Sequence, residues 1–308
     1  MSSLPAVCAV VVTYHPDIFV LKQLIMACFS QVSALILVDN GSSEQELSVM
    51  RSMMANNHSA GVFFLLELGE NTGVAAAQNK GLVWARESSY EHVLLLDQDS
   101  IPAADMVQTL QNALINLEAK DMKVAAVGPR LVDRRTNHNT HFIEINWFGI
   151  TRKHYADHGK KIVKTDFLVS SGMLASVGVF NHIGLLEEAF FIDNVDLEWC
   201  FRARAMGYHL YGVFDAIMQH NVGDQVFRIG PGTFYRHNPE RQYYIMRNRL
   251  VLYRRNYSPN AWIVQDIMRA IVKFVMFSLF FAPRLENIRM MCCGIRDAFA
   301  AKLGKFDA

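Results

Sequence analysis

Residues 91–102, EHVLLLDQDSIP, run from four consecutive apolar residues, Val93 to Leu96, directly into two aspartates one position apart, Asp97 and Asp99. A short unbroken apolar run matches a strand covered on both faces, as in a parallel sheet with helices on each side. In such sheets ligands gather beyond the carboxyl ends of the strands, where both aspartates fall. Alternate residues of an extended chain point the same way, so the two carboxylates are expected to face one small volume. Asp, Ser and Pro are also ordinary turn residues, and taken alone the pair fits a strand that simply leaves the core. If both face inward, like charges that close need a proton or a cation between them. A hard divalent ion, Mg²⁺ or Mn²⁺, meets that need with oxygen ligands.

Working outward, the same alternation recurs. Ala6–Val12 reads as a buried strand, and Val20, Leu21, Leu24, Ile25 and Cys28 follow at helical spacing. ALILVD (34–39) is a second strand ending in Asp39. A helix is expected around 44–57, a strand at VFFLLEL (62–68), and an Ala-rich helix opening from ENTGVAAAQNKG (70–81). Strands and helices alternating with short links predict an α/β, doubly wound, mostly parallel sheet with right-handed crossovers. From about 124 the pattern loosens into VAAVGPRLV, a polar stretch over 133–161 and DFLVSSGMLAS (166–176), read as mixed strands and loops. A helix beginning near Asn194 places Asp196, Trp199, Cys200 and Ala203 on one side. HLYGVFDAIMQH (209–220) reads as a strand ending in His220.

The chain has 308 residues, a formal net charge of +1 and 51 % hydrophobic residues, enough for a large core and unlike a disordered chain or a general nucleic-acid binder. Five cysteines without a C-x-x-C pair point neither to a disulfide framework nor to zinc, and fit a reducing cytoplasm. The first apolar run has no Lys or Arg before it and so reads as a strand rather than a signal peptide. The C-terminal part differs, because between Arg236 and Lys305 basic residues far outnumber acidic ones. After a Ser-Pro helix signal at 258, Asp266, Arg269 and Lys273 fall on one face, and the apolar run that follows is too short for an ordinary spanning helix. Leu285, Ile288, Cys292, Ile295, Phe299 and Leu303 repeat on one stripe, with Arg289 and Arg296 opposite. An amphipathic pair with a basic face lies in a membrane interface, packs on the main domain, or makes a homo-oligomer contact.

Asp39 ends its strand as Asp97 does, so both are expected in the same crevice, where a carboxylate can accept hydrogen bonds from a ribose or a pyrimidine; Asp-Asn-Gly-Ser is equally a tight turn. Asn71 and Gly73 stand at a helix start, whose free N–H groups suit an anion, although a plainly capped helix has the same residues. Asp196 lies in a first helical turn, where the dipole favours its ionised form and makes it a candidate general base. His220 offers an imidazole nitrogen to a metal held by Asp99, provided the fold brings them together.

Taken together, VVVTYHP, ILVDNGS, ENTGVAAAQNKGL, LLLDQDS, FFIDNVDLEWCFRARAMGY and the QH at 219–220 resemble, in order and spacing, the family 2 inverting glycosyltransferases of GT-A fold. DQDS and the later YYIMRNRL resemble the bacterial rhamnosyltransferases of that family. The resemblance implies a glycosyltransferase domain over 1–235 and a basic, amphipathic helical region over 236–308. It implies that Thr13, Tyr14, Asp39, Asn71, Gly73 and Asn79 line a nucleotide-sugar pocket. By the same resemblance Asp97 touches the ribose or the metal, Asp99 binds Mg²⁺ or Mn²⁺, and His220 completes the metal site. The family's base falls in an acidic pair; here Val195 stands where an acid often does, leaving Asp196 as the matching position and Asp193 as its substitute. The donor so implied is dTDP-β-L-rhamnose and the acceptor a lipid-linked glycan of the O-antigen type. The enzyme would then be cytoplasmic and peripheral on the inner face of the bacterial plasma membrane, with no nucleic-acid partner. A UDP donor is an alternative, as are a phosphatase of the haloacid dehalogenase type with Asp97 as nucleophile and a non-enzymatic membrane-peripheral binding module.

Overall fold

The structure, a computed structural model, describes residues 4–55, 62–134, 139–153, 161–220, 225–229, 232–236 and 238–307. In chain order come β1 (Val7–Thr13), α1 (Ile18–Phe29), β2 (Ala34–Asp39), α2 (Glu44–Ala55), β3 (Val62–Glu67), α3 (Val74–Glu87), β4 (His92–Asp97), β5 (Ile101–Pro102) and α4 (Met106–Glu118). There follow β6 (Val124–Asp133), β7 (Phe142–Asn146), β8 (Gly149–Lys153), β9 (Ile162–Thr165), β10 (Leu174–Ser176), α5 (Val177–Ile183), α6 (Val195–Ala205), β11 (His209–His220), β12 (Gln225–Ile229) and β13 (Gly232–Arg236). Helices α7 (Pro239–Leu252), α8 (Asn260–Leu279) and α9 (Arg284–Phe299) close the chain. The expected helix end at 56–57, and residues 135–138 and 154–160 of the polar stretch, lie outside the described residues.

Strands β3, β2, β1 and β4 pair in parallel in that order. The unbroken apolar runs of β1, β2 and β4 follow from burial on both faces. Cys8, Val10, Ile36, Val93 and Leu95 enter one core cluster with residues of α3, α5 and α6, whereas Ala9, Val11, Leu35, Leu37, Leu94 and Leu96 enter another with α1, α2 and α4. Each fully buried leucine contributes roughly 1.5–3 kcal/mol. Helix α3 lies so close to the sheet that a Cβ at Gly81 would collide with Val10 Cγ1. The register sets Thr13 level with Asp39, and Val12 with Asp97, so the strand ends open into one crevice. Beyond β4 the sheet turns mixed, since β10 runs antiparallel between β4 and β6, and β11, parallel to β6, continues past an irregularity after Val213 to deliver His220.

The helical region corrects two expectations. The polar face of α8 turns inward: Asp266 is buried, accepts from Tyr253 Oη at 2.8 Å and lies 3.0 Å from Arg249 Nε and 3.4 Å from Arg269 Nε. A buried arginine needs a partner charge, and that need outranks the helix's apolar stripe, which is left in solvent. In α9 the expected stripe is not the buried one. Leu285 and Phe299 are exposed, while Met290, Met291, Gly294 and Ala298 are buried, because Gly294 lets α9 approach the Tyr243 carbonyl of α7 so closely that no Cβ would fit, and Asp297 accepts from Tyr243 Oη at 3.0 Å. Among the described residues no helix is long and apolar enough to cross a membrane. All five cysteines are free; Cys8, Cys28 and Cys200 are buried and Cys292 is exposed.

Candidate active site

Strand β4 ends at Asp97, and Gln98 and Asp99 form a turn closed by Ser100 N–H donating to the Asp97 carbonyl at 3.1 Å. The two aspartates are therefore brought together by a turn and not, as expected, by strand alternation. Two serines brace it: Asp97 N–H donates to Ser171 Oγ at 3.0 Å, and Ser171 Oγ lies 2.6 Å from Ser100 Oγ. Ser100 Oγ in turn lies 3.0 Å from His220 Nδ1, which is 3.4 Å from Asp99 Oδ1. One ligand atom from each of Asp97, Asp99 and His220 falls within 4.8 Å of the others. Two carboxylates and an imidazole facing one point fit Mn²⁺ or Mg²⁺. Burial raises the Asp97 carboxyl above its ordinary range; His220 opposes the shift, Asp99 adds to it and Arg241 opposes it.

A cavity of about 660 Å³ opens over this turn, within the range of small-molecule sites. Tyr14, Asn71, Gly73, Asp97, Asp99, Asp193 and Asp196 line it. Tyr14 N–H donates to Gln98 Oε1 at 2.8 Å, tying the end of β1 to the aspartate turn. Asn40 bonds Asn71 Oδ1 at 3.0 Å and accepts from Thr72 N–H at 2.9 Å. The amides at the start of α3 are largely paired within the protein, Gly73 N–H to Asn71 Oδ1 and Val74 N–H to the Phe191 carbonyl at 2.8 Å, so these groups do not form the open anion site expected there.

Thr13, Asp39 and Asn79 stand behind the wall. Asp39 is fully buried and accepts from Thr13 Oγ1 at 3.0 Å, from Gly41 and Ser42 N–H at 3.1 and 2.9 Å, and from the Ser42 hydroxyl. Its oxygens are occupied by its own turn. Asn79 exchanges hydrogen bonds with the Leu186 backbone at 2.9 and 3.0 Å and donates to Glu188 Oε1 at 2.8 Å.

The facing wall is irregular. Phe191, Asp193 and Asn194 have φ of 64°, 63° and 61°, sparsely populated values that cost roughly 1–3 kcal/mol each; Asn194 is left-handed, and Phe191, with ψ of −64°, centres a γ-turn closed by Ile192 N–H on the Phe190 carbonyl at 2.8 Å. It is held from α7. Asn248 Nδ2 donates to the carbonyls of Phe190, Ile192 and Asp193 at 2.9, 2.8 and 2.9 Å, and the buried Arg247 reaches those of Ala189, Phe190 and Gly304 at 3.2, 3.0 and 2.6 Å. Asp193 is engaged by Arg241 through two bonds of 2.9 and 3.1 Å. Asp196 follows in the first turn of α6. Its carboxyl is pushed up to about 6, first by burial, with the amides of Leu197 and Ser170 opposing and Asp97 and Asp193 adding. Burial thus raises its proton affinity despite the helix start, and at neutral pH the carboxyl is still mostly ionised. A carboxyl poised near 6 can take a proton at neutral pH and hold it long enough to matter.

Residues 8–184, more than half of the chain, match the family model for glycosyl transferase family 2. The chain belongs to that family. It is a glycosyltransferase, and the phosphatase alternative built on the same strand end is overturned by this match. Over 283 residues it is 30 % identical to the dTDP-rhamnosyl transferase RfbF of Shigella flexneri, with 92 % of this chain and 90 % of that protein covered. Among solved structures it is similar to GalNAc-T7 with UDP, GalNAc and Mn²⁺ (TM-score 0.61, 12 % identity, 97 % of this chain). It is likewise similar to residues 1–349 of S. aureus TarS with UDP-GlcNAc (TM-score 0.58, 14 % identity, 96 % of this chain and 81 % of that one). This chain spans 57 % of the GalNAc-T7 chain. These likenesses confirm an α/β fold of GT-A type.

Several lining residues of this glycosyltransferase carried no role in the sequence reading: Asn40, Gln98, Ser170, Arg241 and Tyr244. Two of them belong to α7, beyond the expected domain boundary at 235. The available signal was YYIMRNRL itself, where Arg247 and Asn248 are fully buried in an aromatic setting and polar groups so placed must be bonded.

Proposed function

We propose that the protein transfers L-rhamnose from dTDP-β-L-rhamnose to a hydroxyl of a lipid-linked glycan of the O-antigen type, inverting the anomeric centre. The transferase unit, on this proposal, includes α7, and the basic helical region begins after it. The observation that carries the mechanism is the meeting, in one cavity, of a cation-fitting Asp97, Asp99 and His220 with an Asp196 carboxyl poised near 6. Asp196 accepts the proton of the acceptor hydroxyl as that oxygen bonds to the anomeric carbon. The bond from that carbon to the diphosphate oxygen breaks, its electron pair leaving with dTDP. Asp97, Asp99 and His220 would hold Mg²⁺ or Mn²⁺, which offsets the charge gathering on the diphosphate. Asp193, paired with Arg241, shapes the wall and is not the base.

Rhamnose as the sugar rests on the 30 % identity to the dTDP-rhamnosyl transferase across nearly the whole chain. Peripheral attachment to the inner face of the plasma membrane is supported by the outward apolar face of α8 and the cations of α9. Donor binding followed by calorimetry with dTDP-rhamnose and with UDP- and GDP-sugars, each with Mn²⁺ and with chelator, tests the proposal. dTDP-rhamnose should bind tightest, its affinity should fall with chelator, and Asp99→Ala should remove the metal effect. Preference for a UDP-sugar would replace the donor, and metal-independent binding would remove the cation from the site.

A further inference from the structure

The tip of the β7–β8 hairpin, Asn146-Trp147-Phe148-Gly149, holds two large aromatic side chains in water. Trp147 is 68 % exposed and Phe148 fully exposed. The tip is nevertheless built: Phe148 N–H donates to Asn146 Oδ1 at 3.0 Å, Asn146 Nδ2 donates to Thr151 Oγ1 at 2.9 Å, and Gln265 Nε2 of α8 donates to the Asn146 carbonyl at 2.5 Å. The last bond fastens it beside the outward stripe of α8, where Val264, Met268, Ile271, Val272, Val275 and Leu279 are exposed at helical spacing. Phe280, just past α8, and Leu285, at the start of α9, are exposed as well. Water drives such side chains inward unless another surface takes them.

The charges around this face say which surface. Arg284 and Arg289 on α9 are exposed, as is Arg296 beside its partner Asp297, and the hairpin carries one exposed cation, Arg152, and one exposed acid, Glu144; the acids of the helices are mostly withdrawn, Asp266 and Asp297 being buried and Glu286 exposed. In an isologous contact with a second copy the same patch meets itself, setting cation against cation. An anionic lipid surface meets both the apolar plateau and its cationic fringe.

We propose that the hairpin tip and the outer face of α8 form one membrane-docking face, with Trp147 and Phe148 entering the headgroup boundary of an anionic bilayer and α8 lying flat in it. The stripe from Val264 to Leu279 is about 22 Å long at 1.5 Å per residue, suited to lying in the interface and not to crossing it. Tryptophan at such a tip matches the aromatic preference of the membrane–water boundary. Helix α8 is fixed through Asp266 to Arg249 and Tyr253, at the end of the helix that carries Arg241 and Tyr244 to the cavity. The docking face and the site thus share one rigid support. This inference rests on the peripheral-membrane part of the proposed function.

Full-length protein floated with vesicles of phosphatidylcholine, alone or mixed with phosphatidylglycerol, tests it, with sedimentation and donor hydrolysis measured on the same samples. The wild type should float with the anionic vesicles and release as salt rises. Trp147→Ser/Phe148→Ser should weaken partition about tenfold or more, by the value of two buried aromatics, and Ile271→Glu should do the same from the helix, with unchanged sedimentation and donor hydrolysis. All three positions are exposed, so folding should survive, which thermal melting checks. A wild type that floats with no vesicle overturns the peripheral reading and this inference together. A wild type that floats equally well with or without these substitutions overturns the inference alone. Loss of a dimer in the variants at constant lipid binding gives the face to a second copy.

Discussion

The two walls of the cavity are built by opposite means. One consists of strand ends and the turns just past them: Tyr14 after β1, Asn40 after β2, and Asp97 and Asp99 at the end of β4, aligned by sheet register and backed by the buried Thr13–Asp39 pair. The other is the segment 190–196, three of whose residues have positive φ and which keeps its shape through Arg247 and Asn248, 55 to 58 positions away. The first wall follows from a regular sheet, with only the aspartate turn braced by Ser100 and Ser171. The second is strained and stays in place only while remote groups satisfy its carbonyls, as expected where a reactive group must be aimed.

The largest effect should come from Asp196→Asn. Removing the proton acceptor while keeping its size should lower turnover about 10²- to 10⁴-fold with donor binding retained. Asp193→Asn should do much less, and the opposite ranking, read from initial rates of transfer, would move the base. The stability sign is a second check. The Asp196 carboxyl is raised in the folded state from 3.8 to about 6, so the folded protein holds this proton more tightly, and the group's stabilising contribution is present at low pH and lost as pH rises through that window. At pH 7 the Asn variant should therefore melt no lower than the wild type.

Asn248→Ala probes the strained wall alone. It takes the donor from three carbonyls, at about 1–3 kcal/mol for buried groups left unbonded, and displaces Asp196. Turnover should fall about 10²-fold, the scale of a misplacement near 1 Å, with a lower melting temperature and little change in donor affinity. If donor affinity fell as much as turnover, the two walls would not be separable. A smaller effect lies in pH: if Asp196 is the base as proposed, kcat/KM should drop about tenfold per unit below about pH 6, because a base works in its ionised form. That limb should persist in Asp193→Asn and vanish in Asp196→Asn. The smallest change is expected for Thr13→Val, which removes one of several bonds to Asp39 behind the regular wall, and a few-fold rise in KM for donor at most would measure how little that wall depends on any one contact.

The regular wall was legible because unbroken apolar runs mark doubly covered strands, and residues after them must reach the crevice. Even there one detail escaped, since a turn and not strand alternation pairs Asp97 with Asp99. The position of Asp196 in a first helical turn was also legible, but its burial was not, and burial decides its proton affinity. Nothing local in FFIDN announces a γ-turn at Phe191, because the groups that hold it sit in α7. The helical region misled for a related reason: a stripe of large apolar residues in α9 is conspicuous in the sequence, whereas the packing is governed by Gly294, whose importance lies in what it leaves out.

The distribution of sulfur gives this molecule a built-in labelling clock. Cys8 on β1, Cys28 on α1 and Cys200 on α6 are sealed in the core, and burial pushes the thiols of Cys8 and Cys28 up to about 12, while Cys292 on α9 meets solvent directly. A thiol reagent at neutral pH therefore marks Cys292 first and the half-buried Cys293 after it, and reaches the three core thiols only through opening events. Since Cys8 belongs to a central strand and Cys200 to the helix that carries Asp196, the delay between their modifications reports how much sooner the strained side of the protein breathes than the regular one.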